Sequence, residues 1–315
     1  MNAKHDITSH TSVLFREALE ALGLVPGAKA IDGTGGSGGH SAGILQRTAP
    51  DGKLLVIDRD PAACVRCEAN LREYGNRVVV RHANFADIAK IAEAEGFTGA
   101  DAILFDFGLS SPQLNDLDRG FSFNSENSFD MRMDTSRGQT AAELLDSFNG
   151  DWKPLAEIIR KYGEDPFAAK IAKAVMAAHT REPIRSTARF AAIVEAAVGR
   201  HSAKHPATRA IQGIRVALNL ELDSIREGLE SALGILGENG RCAAISFNSL
   251  ESKIVKAVFG SHIKREIALM QGGSETTGKR PWVRKVHGKT VKPSADEVKS
   301  NPRSRSAEMR AVARI

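Results

Sequence analysis

The amino-acid sequence predicts an α/β protein: a Rossmann-like parallel sheet with helices on both faces and a helical insertion domain. Short apolar runs alternate with helical stretches through the N-terminal third, and three of these runs end in an aspartate. Strand character then disappears until Arg241, across a polar loop followed only by helices.

The elements follow in order. Val13, Leu14, Phe15, Ala18, Leu19 and Leu22 have the spacing of one apolar helical face. Ala28–Asp32 is a short strand, and a glycine-rich loop leads from it into a helix from about His40 to Arg47. Lys53–Asp58 is the second strand. Pro61 suits the first turn of the next helix, which runs to about Arg72. Arg77–Arg81 and Asp101–Asp106 are the third and fourth strands. From about Gln113 to Ser136 the chain is rich in Asp, Asn, Ser and Gly and reads as a long loop. Helices follow at Thr140–Ser147, Trp152–Tyr162, Pro166–His179 and Thr187–Val198. One long amphipathic helix is expected after His205-Pro206, to about Leu236, before a fifth strand at Arg241–Phe247. The tail from Lys279 reads as loop. The expected division is a sheet domain of residues 1–112 and 206–315, with 113–205 inserted as a helical, substrate-recognition domain.

The composition is globular, with 42% hydrophobic and 26% charged residues in 315. No stretch approaches the ~20 apolar residues of a membrane helix. Met1–His10 has no signal-peptide core, and three cysteines make no disulfide framework. A cytoplasmic location without membrane association is therefore expected. The net charge of +5 is unevenly spread. Residues 253–315 hold 15 Lys/Arg against 5 Asp/Glu, leaving 28 against 33 in residues 1–252. A basic end on an otherwise acidic chain suits a polyanion such as nucleic acid, or else a solubilising tail.

The densest local signal is Ile31-Asp-Gly-Thr-Gly-Gly-Ser-Gly-Gly-His40. Gly33, Gly35 and Gly38 satisfy the G-x-G-x-x-G dinucleotide pattern, and Asp58 follows at a ribose-binding distance along the chain. NAD and S-adenosylmethionine folds share this arrangement, so the neighbours decide. Asp32 precedes the glycines, Asn84-Phe85 follows the third strand where an adenine would lie, and Asp106 ends the fourth near a reacting methyl. Three acids at strand tips suit a cationic sulfonium better than a pyrophosphate, which prefers a helix N-terminus with few carboxylates nearby. Cys64 and Cys67 lie in a helix away from those tips, Cys242 lies inside a strand, and no second cysteine pair completes a zinc site. No metal is expected.

Over nearly its whole length the chain resembles the RsmH (MraW) methyltransferases. The resemblance rests on His10-Thr-Ser-Val-Leu14, Gly38-Gly-His-Ser41, Asp58-Arg-Asp-Pro61, Asp106-Phe-Gly-Leu-Ser-Ser-Pro-Gln-Leu114 and Arg119-Gly-Phe-Ser-Phe123. It continues in Phe129-Asp-Met-Arg-Met-Asp134, Tyr162-Gly-Glu164, His205-Pro-Ala-Thr-Arg209, Ser246-Phe-Asn-Ser-Leu-Glu251 and Asn301-Pro-Arg-Ser-Arg-Ser-Ala307. It implies an S-adenosylmethionine-dependent enzyme that methylates N4 of a cytidine in the decoding region of small-subunit ribosomal RNA. The substrate is then that RNA or the assembled subunit. The cofactor contacts it implies are Gly38, Gly39, His40, Asp58, Phe85, Asp106 and Gln113. His40 and Gln113 follow from the resemblance alone. Asn248 stands where the family carries a histidine, and Ser252 where it carries an aspartate.

Asp106, or a carbonyl of its loop, is the expected acceptor for the attacking amine. Arg119 and Arg132 contact RNA phosphates or pair with Asp116, Asp130 or Asp134. Phe121, Phe123 and Phe129 stack on a base or pin their loop to the core. Asn248 is a substrate-side candidate, and Arg303 and Arg305 are expected phosphate contacts. Two rivals stay open. One is a catalytically weakened RNA-binding or ribosome-assembly factor on the same fold, motivated by Asn248 and Ser252. The other is a nicotinamide oxidoreductase, motivated by the glycine pattern. Oligomeric state is open too, a homodimer included.

Overall fold

The computed structural model describes residues 12–200, 204–263, 266–268, 274–276 and 282–315. His10 and Thr11 of the first motif lie outside them. The chain forms two compact units, Met1–Gly108 with Leu222–Ile315, and Leu109–Glu221.

The first unit opens with α1 (Phe15–Leu22), whose Ala18, Leu19, Ala21 and Leu22 are buried. β1 (Lys29–Asp32), α2 (Gly39–Arg47), β2 (Lys53–Asp58), α3 (Pro61–Asn70), β3 (Val78–His82), α4 (Ile88–Ala94) and β4 (Ala100–Asp106) then alternate as expected. α3 starts where it does because Asp60 accepts from Ala62 N (3.0 Å) and Pro61 fills the first turn. Strand residues alternate between two cores. Leu55, Ile57, Ile103 and Phe105 enter one, and Leu54, Val56, Ala102 and Leu104 enter the other. Both faces of these strands are therefore buried, as a parallel sheet requires.

The second unit is helical: α5 (Ser111–Asn115), α6 (Ala141–Ser147), α7 (Lys153–Gly163), α8 (Ala168–Arg181), α9 (Thr187–Val198) and α10 (Thr208–Leu218). Its start is not all loop, since α5 and a 3₁₀ turn at Leu117–Arg119 interrupt the polar stretch. Ser110 and Gln113 close a reciprocal cap on α5, and Thr140 and Glu143 do the same on α6. The division lies later than the expected 205/206 boundary, because Ala210, Ile211 and Ile214 of α10 belong to the helical core. The expected single long helix is two, α10 and α11 (Glu221–Ile235), broken at Leu220 with φ 49°. Asn219 at that break accepts from Met133 N (2.7 Å) and donates to Met131 O (2.8 Å), so the end of α10 anchors the incoming loop.

α7 and α10 meet through glycine. A Cβ on Gly163 would lie 2.4 Å from the carbonyl oxygen of Arg209, a backbone atom that no rotamer change can move aside. Gly163→Ala should therefore cost about 1–3 kcal/mol and lower the melting temperature by several degrees. A thermal scan that matches the wild type would show that these helices tolerate separation.

Back in the first unit, β5 (Leu236–Ser246), α12 (Ser249–Ile263), β6 (Glu266–Ala268), β7 (Ser274–Thr276), β8 (Val283–Lys285), α13 (Ala295–Ser300) and β9 (Glu308–Arg314) complete the chain. The sheet order is β3-β2-β1-β4-β5-β9-β8. Pairings from β3 to β5 are parallel, while β9 runs antiparallel to both its neighbours. β6 and β7 form a separate two-stranded ladder. The expected loop-like tail is thus corrected. Met309, Ala311, Val312 and Ala313 are buried, because β9 is an interior strand of the main sheet.

Candidate active site

Strand order reverses between β1 and β4, and a ligand crevice is expected where the carboxyl ends of such strands diverge. Asp32, Asp58 and Asp106 end β1, β2 and β4. The loop from Gly33 to Gly38 lies flat over these tips, with Gly33 N donating to Leu104 O (2.9 Å) and Gly35 N to Ile57 O (3.0 Å). A Cβ would lie 2.4 Å from Phe105 at Gly33 and 2.4 Å from Val56 at Gly35, so these two glycines serve close packing. Gly38 instead supplies φ 83° at the entry to α2.

Each acid has a different environment. Asp32 is buried, accepting from Thr34 N (3.1 Å) and from the Ser41 hydroxyl (2.6 Å), and so fixes the loop to α2. Asp58 accepts from Gly36 N (2.7 Å) and Asp60 N (2.8 Å). Burial pushes its pKa up to about 6; these two bonds pull it down, and the charges of Asp60 and Asp32 push it further up. Asp106 has its backbone N–H on the Thr34 hydroxyl (2.7 Å). Its carboxyl pKa lies well above the ordinary value, raised first by burial and then by Asp32 and Glu251. The buried Oδ1 of Asp106 has no hydrogen-bond partner among the described residues. Its Oδ2 lies 3.6 Å from His40 Nδ1, beyond hydrogen-bond range.

His40 is buried against Phe15, and its Nε2 lies 3.1 Å from Val13 O. A carbonyl only accepts, so Nε2 carries the hydrogen and, in the neutral ring, Nδ1 presents a lone pair to Asp106. Burial lowers the His40 pKa, outweighing Asp32 and the Val13 bond, which raise it. Burial thus favours the neutral form of both groups, the carboxylic acid of Asp106 and the uncharged imidazole of His40.

The other expected residues divide clearly. Gly38, Gly39, His40, Asp58 and Asp106 gather at the tips of the sheet. Phe85 is half-buried and packs on Phe105 (5.5 Å between centroids) and Phe107 (5.6 Å), following Asn84, which is tied to Ala86 N and the Ser224 hydroxyl. Gln113 lies in the helical unit, where its Oε1 accepts from Ser110 N (2.9 Å) in the α5 cap. Asn248 caps α12, accepting from Leu250 N and Glu251 N and donating to Glu251 Oε1 (2.5 Å). Ser252 bonds Glu308 of β9 (2.9 Å). Arg303 and Arg305 are exposed just before β9. Of the two readings for Arg132, the structure shows pairing, with two 2.8 Å bonds to Asp130. Burial alone would raise the Asp130 pKa, but these bonds and the Arg132 charge hold it below the ordinary value. Arg119 is buried and donates to the carbonyls of Arg132 and Met133 (2.9 Å each), pinning its own loop.

Thr34, Ser41 and Glu251 were not among the expected residues. Ser41 and Glu251 lie inside quoted motifs, but only the fold shows that one bonds Asp32 and the other repels Asp106. The cysteines are buried, and burial with nearby acids pushes the Cys64 thiol up to about 12. No helix among the described residues is long and apolar enough to cross a membrane.

The site fits a cationic adenosyl ligand. An acceptor oxygen is left open at Asp106 Oδ1, and among the described residues no Lys or Arg pairs with Asp32, Asp58 or Asp106. Sheet and site together define a Rossmann-like methyltransferase that uses S-adenosylmethionine. A family model for the MraW methylase family matches residues 7–315, and the chain belongs to that family. It is 43% identical to the ribosomal RNA small subunit methyltransferase H of Thermomicrobium roseum, over 98% of this chain and 94% of that one. The protein of the same name from Syntrophotalea carbinolica is 42% identical over 98% and 99%. That from Alteromonas mediterranea is 42% identical over 97% of both chains.

Proposed function

We propose that this chain transfers a methyl group from S-adenosylmethionine to N4 of a cytidine in the decoding region of small-subunit ribosomal RNA, in the cytoplasm. The observation that carries the reading is Asp106, a buried carboxyl at the strand-order reversal with one oxygen unpartnered and the other facing His40. The relatives' names support the RNA class. Gly38, Gly39, His40, Asp58, Phe85 and Asp106 hold the cofactor, with Gln113 assigned by the resemblance, and the helical unit contributes to RNA recognition.

The cofactor supplies an electrophilic methyl on a sulfonium. The cytosine amine is a weak nucleophile because its lone pair is delocalised into the ring. Asp106 as a carboxylate accepts a hydrogen bond from that amine and so localises the lone pair. Asp106 would also take up the proton that the amine gives up on methylation. The target base has to leave a duplex or come from a looped strand to reach the site. The assembly-factor reading gains no support, since Asn248 and Ser252 serve the α12 cap and β9.

Asp58 makes cofactor binding pH-dependent. Its carboxylate accepts from ribose hydroxyls, so protonation below about pH 6 removes an acceptor. The Kd for S-adenosylmethionine should fall as pH rises from 5 to 7 and level off above that. Asp58→Asn should remove the step near pH 6, and a Kd flat across that range in the wild type would contradict the assignment. The stability term has the opposite sense. Between the ordinary value of 3.8 and about 6 the folded chain keeps a proton that the unfolded chain has released, so stability from Asp58 declines as pH rises.

The reading is tested with isotope-labelled S-adenosylmethionine, offered both to small subunits lacking the modification and to protein-free small-subunit RNA. Label in either RNA supports the reading and identifies the substrate form. Label in neither, from protein that binds the cofactor, sinks it.

A further inference from the structure

The three phenylalanines of the loop after α5 have different surroundings. Phe121 and Phe129 are buried in the helical core, Phe129 against Phe190 at 5.3 Å. They pin the loop. Phe123 is 43% exposed, although its ring is held in place. It stacks on the imidazole of His205, with centroids 4.8 Å apart and planes 12° from parallel. His205 is itself fixed, since its Nδ1 accepts from Ala207 N (3.1 Å) and its Nε2 lies 3.4 Å from Glu195. A rigid histidine thus backs a phenylalanine that still presents apolar ring surface to solvent.

A large exposed aromatic is costly in water unless something covers it, and here its orientation is already set. Residues 200–209 include Arg200, Lys204 and Arg209 and no acid, although Glu195 lies against His205. Arg200 pairs with Glu195, whereas the Arg209 guanidinium bonds the neutral carbonyl of Glu164 and keeps its net charge. An exposed, fixed aromatic ring stacked against a chain segment rich in basic residues has the chemistry that binds single-stranded nucleic acid, where bases stack and phosphates pair.

We propose that the Phe123–His205 stack is a platform for one unpaired nucleobase of the RNA substrate. This rests on the RNA reading above, and the test separates the two. Full-length wild type, Phe123→Ala, Phe123→Leu and Phe123→Trp are titrated with protein-free small-subunit ribosomal RNA, and each is melted. Alanine and leucine should raise the RNA Kd by about 5- to 150-fold, the equivalent of about 1–3 kcal/mol for one stacked base. Tryptophan should restore binding, and its added emission should be quenched as RNA saturates. Leucine, which keeps apolar packing but cannot stack, separates recognition from structure. Wild-type RNA binding that Phe123→Leu matches overturns the platform and leaves the RNA reading intact. So does a loss of binding that follows a fall in melting temperature, with no quenching in Phe123→Trp. Wild-type protein that neither binds nor methylates RNA overturns both.

Discussion

Asp106→Asn is expected to lower kcat by about 10²–10⁴-fold, the range for losing a positioned acid–base group. The amide keeps the size of the side chain but cannot carry the negative charge that localises the amine lone pair. Cofactor affinity should change far less than kcat, which separates loss of chemistry from loss of binding. The pH profile provides a second check. Burial, Asp32 and Glu251 hold the Asp106 pKa well above the ordinary value, so the wild-type rate should rise as pH increases through it. In the variant that limb should disappear. Full turnover by Asp106→Asn with normal cofactor binding would remove Asp106 from the chemistry and leave a backbone carbonyl of its loop as the acceptor.

Truncation after Lys289 is expected to abolish folding. The cut removes β9, which lies between β5 and β8, and with it the ladder from Arg241↔Ala313 to Ser246↔Glu308. Burying a Met or Val side chain contributes about 1.5–3 kcal/mol. Losing Met309, Val312 and the β8 pairing therefore removes a large part of the ~5–15 kcal/mol by which a domain is stable. The truncated chain should be insoluble or melt without a cooperative transition. Arg305→Ala should fold normally, because its side chain is exposed. That variant isolates the charge effect. If Arg305 meets a phosphate, the slope of log K against log salt should flatten by about 0.7, the value for one contact on single-stranded RNA. A soluble, cooperatively melting truncation would contradict the interior placement of β9, and an unchanged salt slope would contradict the phosphate contact.

The contrast between these two regions explains what the sequence could reveal. The first four strands were legible because each is a short apolar run between turn signals, and three end in an acid; β1, β2 and β4 are buried on both faces, whereas β3 at the sheet edge is only half-buried. The gathering of Gly38, Asp58 and Asp106 was legible because these residues lie at or just after strand ends, whereas His40 and Gln113 were named from the resemblance alone. β9 was not. Arg310 and Arg314 interrupt its apolar residues, and its partners lie far away in sequence, so no local period marks it. The break at Leu220 was hidden for a related reason. Leucine with a positive φ has no sequence signature, and only the bonds from Asn219 to Met131 and Met133 show why the chain turns there. Charge alone left two readings open for the loop arginines. Only the fold shows that the side chains of Arg119 and Arg132 bond their own loop.

The central claim is methyl transfer to N4 of cytidine, and the most direct measurement is the identity of the labelled nucleoside. Small-subunit RNA methylated by the wild-type chain from isotope-labelled S-adenosylmethionine is digested to nucleosides and separated. The account predicts label in N4-methylated cytidine, mapping to the decoding region and lost with Asp106→Asn. Label in a ring-carbon-methylated or ribose-methylated nucleoside would contradict it, because the proposed role of Asp106 is to accept a hydrogen from an exocyclic amine.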